Sequence, residues 1–196
     1  MTPRPIVLLA LLLAAPATLL TAPSAGAVQP AKSLYTSIDL AKCKVVSRHR
    51  DGNTWECEGL PGYPVLVAEG DLRTFVSFGP DARKRRAARQ TLGPFNRMFA
   101  DARQRATIEW RYVRRDGRAV PYATIIRFTT SRDGMKGQAL VVTRIGDKDA
   151  CHVAYVDAIA NPDAIALARE AADGLARRFD CTKEPEVLGQ PGRMPL

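Results

Sequence analysis

His152 stands beside Cys151 and five residues before Asp157, and it is the first residue whose type could do chemistry. An imidazole acting as a general base needs a nucleophile in reach and a carboxylate to orient it. Asp157 could orient it, but no Gly-x-Ser-x-Gly elbow supplies the nucleophile. A hydrolase of unfamiliar design, using His152 with a nearby carboxylate, is therefore the alternative reading of this chain. The plainer reading is a strand histidine, with alternation putting it on the face opposite Tyr155. His49 is the only other histidine, so a His-rich metal site is excluded. No metal and no cofactor is expected. Glu56 and Glu58 share a strand face at i, i+2 spacing, and Asp147 and Asp149 flank Lys148 in a turn. Paired carboxylates serve acid–base chemistry, yet these read as a solvated strand face and a polar loop. No glycine-rich phosphate loop occurs.

The four cysteines, Cys43, Cys57, Cys151 and Cys181, carry a different chemistry. They are separated by 13, 93 and 29 residues, unlike the short steps of zinc ligand pairs. An even count in an exported chain favours two disulfides. Three connectivities are possible, and Cys43–Cys57 with Cys151–Cys181 is preferred. Each bridge would stabilise by roughly 3 kcal/mol, mainly by restricting the unfolded chain.

The third feature is charge. The chain has 29 Lys and Arg against 20 Asp and Glu, a net +9. Five of the bases, Arg83, Lys84, Arg85, Arg86 and Arg89, lie within seven residues. Such density steers anionic partners, so these five are the candidate anion-binding residues. Anionic envelope lipids or polysaccharides, or an envelope protein, are the partners considered. Nucleic acid is not expected, because no aromatic residue interleaves the cluster to stack bases. Trp55, Trp110, Tyr112 and Tyr155 could line a groove, but such residues more often pack a core or a sheet.

The compartment is read from the amino terminus. Arg4 is followed by an apolar run from Ile6 to Leu20, and Ala25-Gly26-Ala27 fits a small-x-small cleavage site. Residues 1–27 therefore read as a cleavable secretion signal, too short for a membrane span. The chain is expected to be exported, periplasmic or fully secreted, and not an integral membrane protein after cleavage. The remaining 169 residues suit one domain.

Elements must then position these residues. Residues 28–37 read as a polar, mobile leader. Lys44–Arg50 and Thr54–Glu58 flank Asp51-Gly52-Asn53, a hairpin signal whose register calls for a bulge or a longer loop. Val65–Ala68 and Leu72–Phe78 are β-prone runs. The basic insert, 80–106, suggests a short helix over 81–90, with Phe95, Met98 and Phe99 tucked into the core. Ile108, Trp110 and Tyr112 alternate with Glu109 and Arg111 in a strand. Tyr122–Thr130, Ala139–Ile145 and Cys151–Val156 continue it. A helix over 162–179 is the clearest element, with Asn161 as N-cap, Pro162 in its first turn, and Ile165, Ala168, Ala172, Leu175 and Phe179 as its apolar stripe. At about 27 Å, folded back along a strand of about 20 Å, it would return Cys181 to Cys151. Residues 182–196, rich in proline and glycine, read as a disordered tail.

Several strings carry a resemblance: Leu34-Tyr35-Thr36-Ser37-Ile38-Asp39-Leu40, Ile108-Glu109-Trp110-Arg111, Cys151-His152-Val153-Ala154-Tyr155-Val156-Asp157, and Phe179-Asp180-Cys181. With them, the chain over about 34–181 resembles a group of short secreted proteins of proteobacteria to which no activity attaches. The resemblance implies export and a single domain, and transfers no site residue.

The expected architecture is α+β: a mostly antiparallel meander of seven or eight strands, disulfide-bonded, with the carboxyl-terminal helix on one face. The basic insert would help cover the other. The expected function is a non-catalytic exported binding or accessory protein that contacts anionic envelope components through the basic segment.

Overall fold

The computed structural model describes residues 31–192, so the proposed secretion signal lies outside the described residues. The chain folds into three layers: a four-stranded sheet, a seven-stranded sheet and a helix. The strands are β1 (Lys32–Ile38), β2 (Lys44–His49), β3 (Gly52–Leu60), β4 (Tyr63–Gly70), β5 (Arg73–Phe78), β6 (Phe95–Met98), β7 (Ala106–Arg115), β8 (Arg118–Arg132), β9 (Met135–Ile145), β10 (Ala150–Asp157) and β11 (Glu186–Leu188); the helix is α1 (Ala164–Gly174). The small sheet runs β2-β3-β4-β5, and the large one β1-β7-β8-β9-β10-β11, with β6 also beside β8. The expected single meander is thus two sheets, and the larger is mixed, since β11 runs parallel to β10.

The alternation read from the sequence explains the stacking. Trp55, Val67 and Val76 lie in one cross-strand row of the small sheet, and Cys57, Val65 and Phe78 in another. Opposite them, the large sheet presents Ile108, Ile126 and Val141 as a row. All are buried in one cluster, and Phe78 meets Trp110 edge-to-face at 5.5 Å. The second sheet does most of the covering once expected of residues 80–106. That insert contributes two short 3₁₀ turns, Ala82–Lys84 and Arg86–Arg89, rather than a helix. Its Ala87, Leu92 and Met98 are buried. Phe95 and Phe99, expected inside, are exposed, because the segment is a strand and not a helix.

The other face of the large sheet is covered by α1 through alanines. Ala164, Ala168, Ala171 and Ala172, with Ala176 just beyond, are buried against Ile125, Val142, Ala154 and Val156. Small side chains let the helix lie close. Ile165, assigned to the stripe, is on the exposed side. The α-helix is also shorter than expected, and a 3₁₀ turn (Ala176–Arg178) completes it.

Charge fixes the flank of the helix. Arg111 of β7 donates to both carboxylate oxygens of Asp173, at 2.9 and 2.6 Å, and the Tyr122 hydroxyl donates to the same carboxylate at 2.6 Å. One turn earlier, Arg169 donates to both oxygens of Glu109, at 2.7 and 3.1 Å. Ser33 of β1 links the pairs, donating to Glu109 and accepting from Arg111. The side chain of Glu109 is only 5% exposed and that of Arg111 9%. Of the stretch 28–37 expected as a mobile leader, residues 32–37 belong instead to an edge strand paired along all of β1 with β7.

Both preferred disulfides are present, Cys43–Cys57 and Cys151–Cys181. The hairpin tied by the first carries the expected bulge, between Val45 and Ser47. Beyond the second, Glu186–Leu188, within the stretch 182–196 expected to lack structure, form β11. Asn161 does not cap α1 with its side chain. Its amide donates to the carbonyls of Asp157 and Gln190 and accepts from the Gln190 N–H, holding the tail to the sheet. Gly189 permits this approach: a Cβ there would stand 2.3 Å from the Asn161 oxygen.

Removing Asp173 leaves the nearly buried Arg111 guanidinium without its bidentate partner. Asp173→Ala should lower stability by about 3 kcal/mol in urea unfolding at pH 7. Burial raises the Asp173 pKa, but the bonds from Arg111 and Tyr122 outweigh it and hold the carboxyl below its usual range. Its contribution is therefore complete above the unfolded-state pKa near 4 and fades as the pH falls through the lower folded value. The wild-type advantage over Asp173→Ala should shrink below pH 4.

Candidate functional site

The two sheets part at one end of the domain, where the β4–β5 turn, β6 and the β8–β9 turn come together. An open cleft of about 600 Å³ lies there. Three apolar side chains line it with their surfaces in water: Leu72, 71% exposed, Ile159, 65%, and Phe95, 47%.

Leu72 is held there by an unusual backbone. Gly70 pairs with Arg73, so Asp71 and Leu72 form a two-residue hairpin loop. Both are left-handed, with φ of 50° and 57°. Such loops favour Asn-Gly, and a left-handed conformation costs an ordinary L-residue about 1–2 kcal/mol. Asn96 of β6 fixes the turn from behind. Its backbone N–H donates to the Leu72 carbonyl at 3.0 Å, and its side-chain oxygen accepts from the Thr74 N–H at 3.2 Å. The Asn96 amide nitrogen also donates to the carbonyls of Leu92 and Pro94. Phe95 is braced by Arg73, whose guanidinium stands 5.7 Å from the ring centroid and also pairs with Asp71.

The walls carry opposite charges. Asp51 and Glu69 line the cleft from the small-sheet side, and Arg97 and Lys136 from the large. Neither Arg97 nor Lys136 has an ion-pair partner among the described residues. Hydroxyl side chains are present, at Thr74, Thr129, Thr130 and Ser131, but no histidine or cysteine lines the cleft to activate them. The arrangement suits binding a molecule with an apolar part and a charged part.

His152 lies elsewhere. It is 3% exposed, and burial pushes its pKa down to about 3. A bulge at Val153 turns it to the same side as Tyr155, not the opposite one, and Nδ1 sits 2.9 Å from the Tyr155 hydroxyl. Asp157 accepts from the backbone N–H groups of Ile159 and Ala160, at 2.8 and 2.9 Å. No hydrogen bond joins the buried imidazole to the Asp157 carboxylate, which is committed to a turn.

The basic segment is divided by the fold. Arg85 is buried, donating to the carbonyls of Pro80, Gly146 and Asp147, so its guanidinium staples two loops. Arg86 is half-buried and faces Glu184 at 3.6 Å. Lys84 faces Asp81 at 3.6 Å, and Arg83, Lys84 and Arg89 remain exposed. Glu56 and Glu58 are exposed on one face of β3, and Trp55, Trp110 and Tyr112 are core residues. Sequence reasoning missed Leu72, Phe95, Arg97, Lys136 and Ile159. Leu72 was read as the first apolar residue of a strand; the available signal was its place between Gly70-Asp71 and Arg73, where a two-residue turn fits.

No known protein family, curated protein or solved structure matches the chain.

Because folding keeps His152 neutral, the unfolded chain binds one more proton between pH 6.5 and about 3. Stability from this residue is complete above pH 6.5 and declines on acidification, by about 1.4 kcal/mol per pH unit at the steepest. His152→Gln should flatten the stability profile between pH 6.5 and 4, as measured by chemical denaturation at each pH.

Proposed function

We propose that this chain is an exported binding protein of the cell envelope, an accessory or inhibitory module without chemistry of its own, whose cleft takes an anionic amphiphile. The observation that carries the reading is Leu72, held in a costly left-handed turn with its side chain in water at the mouth of the cleft. Strain of this kind persists where surrounding structure over-determines it, often at binding sites. Here the Asn96 clamp supplies the determination. An acyl or other apolar part would lie against Leu72, Phe95 and Ile159, and an anionic head would meet Arg97 and Lys136.

The compartment supports the same reading. Disulfides persist in oxidising spaces and are rare where thiols are kept reduced, and all four cysteines are paired. No helix among the described residues is long and apolar enough to cross a membrane. Reading the apolar run from Ile6 to Leu20 with Ala25-Gly26-Ala27 as a secretion signal fits export, with envelope lipids or lipopolysaccharide as accessible amphiphiles. The exposed Arg83, Lys84 and Arg89 would add long-range attraction without being part of the cleft.

Leu72→Asn separates the two roles of this residue. Asparagine tolerates the left-handed region, so stability should rise by about 1 kcal/mol. Binding of anilinonaphthalene sulfonate, an amphiphilic anion, should weaken about tenfold, as should its displacement by lysophosphatidylglycerol. Equal affinity in the two proteins would remove the cleft from the proposal.

A further inference from the structure

A second, smaller pocket lies at the far end of the large sheet, on its helix-covered face. The distance follows from β8: Thr130 lines the cleft and Tyr122 lines this pocket, eight residues and roughly 26 Å apart. It holds about 180 Å³ and is lined by Arg115, Arg144 and Arg177, together with Tyr122 and apolar side chains such as Val120 and Ile145. The arginines come from three elements: the end of β7, β9 and the 3₁₀ turn after α1.

No carboxylate lines this pocket. Among the described residues, none of the three arginines has an ion-pair partner within 4.0 Å. The carboxylate along the helix, Asp173, is already held by Arg111 and Tyr122. Two of the three are nevertheless placed. Arg177 lies over the Tyr122 ring at 4.2 Å. Arg144 uses Nη1 alone on the carbonyl of Phe179 at 3.0 Å, with a longer approach to that of Ala176. The one carboxylate that acts on the three, Asp173 on Arg177, is already bonded by Arg111 and Tyr122, and the three like charges repel one another. The fold keeps them together against walls that are partly apolar, where an added anion would be weakly screened.

We propose that this pocket is a binding site for a phosphate group. Guanidinium donors form a planar fork that matches phosphate oxygens in pairs, and the volume admits one such group with a few waters rather than a large ligand. The exposed Arg114, Arg118 and Arg178 stand at the same end, at the β7–β8 turn and beside Arg177. They would attract the anion from a distance. The phosphate could be borne by a lipid headgroup or by a soluble ester. This site is separate from the cleft and does not depend on it.

Inorganic phosphate is the first probe, titrated into the oxidised full-length protein and followed by arginine side-chain NMR and calorimetry. Binding should be saturable, weaken with added sodium chloride, and fall at least tenfold in Arg115→Gln/Arg177→Gln. Arg115→Gln alone, at an exposed strand end, serves if the double variant does not fold. Arg83→Gln/Arg89→Gln and Leu72→Asn should bind phosphate as the wild type does, which separates this site from the basic segment and from the cleft. Flotation with phosphatidylglycerol and phosphatidylcholine vesicles then tells the sources apart. Capture by the former that phosphate competes away assigns a headgroup, and phosphate binding without capture assigns a soluble ester. No saturable response to phosphate, or equal affinity in wild type and the arginine variants, would overturn the site.

Discussion

A sheet buried on both faces governs this structure. The inner strands of the large sheet are apolar on each side, and β10 is buried at seven of its eight positions. Burying apolar surface is worth about 25 cal/mol per Å², so neither face can be left to solvent. The chain answers with two unlike covers. Before the large sheet's central strands, it lays down a four-stranded sheet whose alternating Trp55, Val65, Val67, Val76 and Phe78 pack on one side. After them, it returns with an alanine-faced helix on the other. One bridge ties the small sheet within itself, and the other holds the segment after the helix to β10.

The charges on the helix side follow from the same constraint. Glu109 and Arg111 alternate with Ile108, Trp110 and Tyr112, so whichever face takes the apolar set, the other must accept an acid and a base. Covering that face with a helix would strand two charges unless the helix brings their partners. Arg169 and Asp173, four residues apart, do so. Replacing such a network by apolar residues is often harmless to stability, whereas breaking it is not. Its effect here is on register: the helix cannot slide along the alanine stripe without separating both pairs.

Much of this was legible in the residues. The cysteine pairing followed from spacing and element length, and the strands of β7 to β10 from alternation and turn residues. The hairpin bulge followed from the misfit between Cys43, Cys57 and the turn. Other features depended on contacts between distant segments. The stretch 95–99 has helical spacing of apolar residues, yet it pairs with β8 and exposes Phe95 and Phe99. Asn161 has the composition and position of a helix cap, but its amide is taken by Gln190, a residue twenty-nine positions later. The facing of His152 and Tyr155 was misjudged because one bulge inverts alternation. The cleft was invisible for a related reason: its apolar lining comes from a turn, a strand and the segment after β10, which only the fold brings together.

The parallel strand β11 leaves one more thing to consider. It occupies the outer edge of β10, which otherwise offers unpaired backbone N–H and C=O groups to any extended chain. The tail is tied to that edge by the Cys151–Cys181 bond and by Asn161, which grips Gln190. Left open, such an edge is a template on which a second molecule pairs. Once formed, the bond keeps this edge occupied and closed to other chains, a task distinct from stabilising the finished domain.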